Sequence, residues 1–137
     1  MAATILMVLS AGIIFTLGVL HLMYTFRGPL LMPRDRALQI SMSRTSPVIT
    51  KQTTMWRAWV GFNASHSLGA ILFGLVFGFL ARAHGQILFH SPFLLTVGLA
   101  MLGSFVVLSK VYWFSTPFIG ISISLACYVA SIALSRF

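Results

Sequence analysis

Read for the alternation of apolar and polar positions, the chain falls into four long uncharged runs: Met1 to Phe26, Ala58 to Ala81, Ala83 to Ser109 and Val111 to Ser135. A bilayer span needs about 20 apolar residues at 1.5 Å of rise each, and every run is long enough. In hydrocarbon each backbone N–H and C=O must find a partner within the chain, so each run is predicted to be a helix. The helices are placed near residues 4–26, 57–81, 91–110 and 116–135. The first run has no basic stretch before it and stays apolar beyond the core of an ordinary signal peptide, so it is read as a retained helix. The segment 27–56 is the sizeable polar connection. It carries Pro29, Pro33 and Pro47, and Pro33 is expected to open a short helix through about Ser43, with Leu38 and Met42 on one face at the membrane interface. The connections "RAHGQ" and "KVYWFSTP" are short, and Pro117 suits the first turn of the last helix.

Composition sharpens this into a class. Only 7% of the 137 residues are charged, against about 25% in a soluble domain. So few charges cannot clothe a small globule in water, and lipid must solvate most of the outside. The expected fold is an all-α membrane protein: a single transmembrane domain over residues 1–137, built as an up-down-up-down four-helix bundle.

Charge then gives direction. One acid, Asp35, stands against nine Lys and Arg. The basic residues lie beside apolar spans without the aromatic interleaving of a nucleic-acid surface, so the expected partners are membrane lipids and no nucleic acid. Arg27, Arg34, Arg36, Arg44, Lys51, Arg57 and Lys110 fall on one side, Arg82 and Arg136 on the other. The positive-inside rule puts loop 27–56 in the cytoplasm and both termini on the non-cytoplasmic side, in a membrane that by size and bias suits a bacterial inner membrane. Tyr24, Trp56, Trp59, Tyr112 and Trp113 would form the aromatic belt at the cytoplasmic boundary.

Candidate chemistry is sparse. Trp59, Asn63, His66 and Ala70 recur at helical spacing and form a stripe predicted to face the bundle interior, because polar groups at depth turn away from lipid. In the first helix Gly18, His21 and Thr25 share a face. His21 lies about five residues from the cytoplasmic end of its helix and His66 about nine from that of its own, a depth difference of roughly 6 Å. Two readings stay open. The cluster is interhelical glue, with Ser65 and Ser67 bonding their own preceding carbonyls. Or His21, Asn63 and His66 bind a ligand: the two imidazoles ligate a haem b iron or a small metal, or the site takes a quinone or lipid. Arg27, Arg57 and Lys110 would then hold propionates or a phosphate at the cytoplasmic mouth, against the alternative of plain snorkelling and topology determination.

The rest narrows the field. Two His make half a zinc set, and the single Cys127 excludes an internal disulfide and is at best a third ligand. His84 and His90 flank an outer turn. Without acids in the spans there is no di-iron carboxylate bundle and no acidic proton relay, and no hydrolase triad or phosphate loop can be assembled. Thr116, Gly120, Ser124, Cys127, Ser131 and Ser135 make a small-residue seam on the last helix, and Gly69, Gly74 and Gly78 are expected to do the same on the second. One seam closes the bundle; a spare one would join another membrane subunit or a second copy.

The stretches "GVLHLMYTFRGPL" and "WRAWVGFNASHSLGAILFG" resemble a group of small bacterial four-helix membrane proteins of uncharacterised function. The likeness covers the first two helices, and the second half only in hydrophobicity. It implies four helices with the polar residues in the N-terminal half, and no activity. The membrane acid expected of small multidrug transporters is missing from the first helix. The leading functional expectation is therefore a non-enzymatic subunit or interaction protein, followed by a cofactor- or lipid-binding bundle, then a membrane enzyme or transporter.

Overall fold

The computed structural model describes residues 1–136 and is built from helices in the order α1 (Ala2–Phe26), α2 (Arg36–Arg44), α3 (Met55–Ala83), α4 (Gly85–His90), α5 (Pro92–Tyr112) and α6 (Ser115–Leu134). Among the described residues there is no strand. Four of these helices, α1, α3, α5 and α6, are long and apolar enough to cross a membrane. Large apolar side chains such as Phe62, Phe93 and Val107 lie on the outside, as expected where lipid rather than water is the neighbour.

Local chemistry explains the ends. α1 stops where Gly28 takes a positive φ of 87°, a left-handed conformation that costs glycine little, and Pro29 follows. The Asp35 carboxylate accepts the Ala37 N–H at 2.8 Å and caps α2. The short loop helix therefore starts at Arg36 and not at Pro33 as expected, because the cap lies two residues beyond the proline. Ser91 accepts the Leu94 N–H at 3.3 Å, with Pro92 just inside α5. α4 is a helix that the hydrophobic pattern did not predict. At six residues it is too short to display a period, yet its Leu88 is wholly buried.

Residues 1–17 together with Ala70 onward make one compact unit, and residues 18–69 a second. The first unit holds the hydrophobic core. Met7, Ala11 and Ile14 come from α1, Ala70, Phe73, Phe77 and Ala81 from α3, Leu95 and Leu102 from α5, and Ile121 and Tyr128 from α6. Steps of three and four on α1 and α3, and of seven on α5 and α6, mark one face per helix. Two glycines permit the closest approaches. A Cβ on Gly74 would lie 2.6 Å from Phe15 Cβ and 2.7 Å from the Ala11 carbonyl oxygen. A Cβ on Gly98 would fall on the Tyr128 hydroxyl and 2.7 Å from Phe77 Cε1. Gly69 was expected to join this seam but meets open space, and Gly78 makes only an ordinary contact with Ala11.

Hydrogen bonds tie the same unit. The Tyr128 hydroxyl donates to the Leu95 carbonyl at 3.0 Å. Ser124 Oγ donates to the Ser10 carbonyl at 2.9 Å and accepts from Ser10 Oγ at 2.9 Å. Ser131 Oγ donates to the Ala3 carbonyl at 2.6 Å. The expected seam on the last helix thus binds α1 through Ser124 and Ser131, while Thr116 lies exposed.

Candidate functional site in the second unit

Within residues 18–69 only Gly18 and Ser67 are buried. Organisation here comes from polar groups on α1 and α3. His21 Nε2 lies 2.9 Å from Asn63 Oδ1. Asn63 Nδ2 donates to the Trp59 carbonyl at 2.8 Å, which requires the amide nitrogen on that side and leaves Oδ1 facing the imidazole. An amide oxygen only accepts, so His21 presents a protonated Nε2 to it. This tautomer is inferred from the network. The His66 ring meets the His21 ring edge to face, centroids 5.4 Å apart and planes at 83°.

The surrounding hydroxyls look after themselves. Thr25 Oγ1 donates to the His21 carbonyl at 2.8 Å, one turn back on α1. Ser65 donates to the Phe62 carbonyl and Ser67 to the Asn63 carbonyl, as expected of two serines that bond their own preceding carbonyls. Among the described residues no buried side-chain nitrogen or oxygen lacks a hydrogen-bond partner. Beside Asn63 is a cavity of about 10 Å³, bordered by Tyr24, Thr25, Trp56 and Trp59. That is roughly the space one water needs.

Of the residues singled out in the sequence, His21, Asn63 and His66 come together. Trp59 corrects the interior stripe. It is exposed, and its indole N–H donates to the Leu31 carbonyl at 3.1 Å. That suits a boundary aromatic with one apolar and one polar end. Arg27 and Arg57 are exposed. Lys110 belongs to the first unit, where its ammonium lies 5.2 Å from the centre of the Phe118 ring, a cation–π distance. Cys127 is half-buried on α6, and among the described residues no three His, Cys, Asp or Glu side chains gather as metal ligands. His84 meets the Phe79 ring edge-on and His90 Nδ1 lies 3.0 Å from the Gln86 carbonyl.

Sequence reasoning did not foresee the Ser10–Ser124 pair or the Tyr128–Leu95 bond. Tyr128 carried a usable signal, since a phenol in mid-span must find an acceptor. Ser10 carried none, because a lone serine in an apolar helix can satisfy itself locally.

No family model matches the chain, and neither a curated protein nor a solved structure is similar to it.

Proposed function

We propose that this chain is a non-enzymatic subunit or interaction protein of a membrane complex. In this reading it is threaded up-down-up-down through a bacterial inner membrane, with loop 27–56 in the cytoplasm and both termini outside. The observation that carries it is the bond between His21 Nε2 and Asn63 Oδ1 at 2.9 Å. The two polar groups most suited to chemistry are turned on each other, and Nε2 carries the hydrogen that a metal would have to displace. Such pairs are ordinary helix-to-helix glue. Crosslinking in native membranes followed by gentle extraction and native mass spectrometry tests the proposal. A defined larger species, holding another subunit or a second copy, is expected. A lone monomer under both treatments overturns it.

A second reading has its own support in the edge-to-face imidazoles, 5.4 Å apart between centroids. His21 and His66, with Asn63, then hold haem b, a metal ion, a quinone or a lipid, and Arg27 and Arg57 serve as anion-binding groups in the same unit. For a metal or haem, the His21–Asn63 bond has to break or Nδ1 has to be used. Absorption spectra, metal analysis and native mass spectrometry of gently purified protein test this. Negatives in all three, with unchanged behaviour of His21→Ala and His66→Ala, end it.

A further inference from the structure

The connection between α2 and α3 carries an apolar tip. Thr50 N–H donates to the Pro47 carbonyl at 3.2 Å, closing a four-residue turn with Val48 and Ile49 at its centre. The central positions of a turn with negative φ accept most residues, though Gly, Pro, Asn, Asp and Ser dominate turns as a whole. Here they carry two branched aliphatics that are essentially fully exposed, Val48 at 109% and Ile49 at 91%. The turn is also held in place. The Met55 N–H donates to the Thr45 carbonyl at 2.8 Å, joining the two ends of the loop at the first residue of α3. Gln52 N–H donates to Thr50 Oγ1 at 3.1 Å and braces the return strand of the loop. A short loop with joined ends presents a shaped tip.

Charge and reach point to what covers that tip. Arg44 and Lys51 bracket the turn, and Arg34, Arg36 and Arg57 are likewise exposed in the same unit. The nearest acid in sequence, Asp35, is occupied as the cap of α2. Val48 is three residues from Thr45, whose carbonyl bonds the first residue of α3, so it stays within about 11 Å of Thr45 even if fully extended. The headgroup zone on each side of a bilayer is about 5–7 Å deep, and Trp56 and Trp59 mark that end of α3 as the boundary. Branched side chains lose little rotamer freedom on insertion.

We propose that the Pro47–Thr50 turn is a membrane anchor, with Val48 and Ile49 entering the headgroup region of an anionic leaflet while Arg44 and Lys51 bind lipid phosphates. The anchor rests on the membrane-spanning helices alone and is independent of the role of His21, Asn63 and His66.

The test uses the full chain in lipid nanodiscs, where both faces are open to reagent. With Cys127→Ser as background, Ile49→Cys reports the tip and Ser43→Cys reports the effect of surface charge alone. Each is modified with an uncharged maleimide polymer, in phosphatidylcholine discs and in an equal mixture with phosphatidylglycerol. The rate at position 49, divided by that at position 43, is expected to fall about tenfold in the mixed discs. Adding Arg44→Gln with Lys51→Gln restores it, since two cations near an anionic surface shift the insertion equilibrium by roughly thirtyfold. Molar salt, with a Debye length of about 3 Å, does the same. A ratio unchanged between the two lipids overturns the proposal. So does protection in native membranes that appears in neither disc, which would mean that a protein covers the tip.

Discussion

The two units solve the problem of order in lipid by different means. Residues 1–17 and 70 onward pack Phe73 on Phe77 with ring centroids 4.5 Å apart and set Tyr128 edge-on to Phe77 at 5.9 Å. Gly98 lets α5 close on Tyr128 and Phe77, and Gly74 lets α3 close on Phe15 and Ala11. Residues 18–69 bury no large side chain and are tied instead by His21 to Asn63 and Trp59 to Leu31. Lipid tails are as apolar as Leu, so shape complementarity and polar pairing are the two devices left to hold helices together. The first unit uses both, with Tyr128, Ser124 and Ser131 bonding across helices beside the packed rings, while the second relies on polar pairing.

The largest expected effect is on the packed side. Phe77→Ala should destabilise by about 3–5 kcal/mol, through lost contacts and the cavity left beneath Tyr128. Thermal unfolding in detergent, followed by helix content, measures it. Little change would mean that the stacked phenyls are not what holds this unit.

Next comes the close approach at Gly98. Gly98→Ala puts a methyl onto the Tyr128 ring and against Phe77, and overpacking of this kind costs about 1–3 kcal/mol. Tyr128→Leu in the same chain should recover part of the loss, because the group displaced by the new methyl is gone. A double-mutant cycle reads the coupling. Strict additivity would mean that the two residues do not compete for one space.

This contrast was only half legible in the sequence. Uncharged runs at 1.5 Å of rise announce spans without any knowledge of partners, so the four long helices could be placed to within a few residues. α4 was hidden because six residues show no period, and Asp35 was passed over as a cap because Pro33 gave the louder start signal. The His21, Asn63 and His66 cluster was visible since polar groups at depth are rare. The Ser10–Ser124 pair was not, because hydroxyls are cheap to satisfy within one helix. Which glycines matter was also beyond the sequence: Gly69 and Gly74 look alike in the string, and only the neighbouring helix distinguishes them.

On the polar side the effects shrink. A cycle of His21→Ala and Asn63→Ala should give a coupling of about 0.6 kcal/mol, at most roughly 1.7. A value near zero would separate the two side chains in solution and leave the second unit without its main tie between α1 and α3. A value well above that range would mean that the bond is shielded from competing partners in the unfolded-in-membrane state.

The smallest effect is the most discriminating. Removing one partner of a half-buried hydrogen bond such as this leaves the other less well satisfied, whereas replacing both by apolar groups of similar shape can be nearly neutral. His21→Phe with Asn63→Leu should therefore cost about 0.5 kcal/mol or less in stability if the pair is glue, while either single change costs more. The aromatic edge toward His66 is kept by the phenyl ring, so the ring contact at 5.4 Å has a substitute. The proposed assembly role then predicts that any larger species recovered from native membranes keeps the same yield in the doubly replaced protein. If it folds normally but loses an absorbing, metal or lipid component that the parent retains, these residues serve a ligand, and the polar unit is a binding site rather than a fastening.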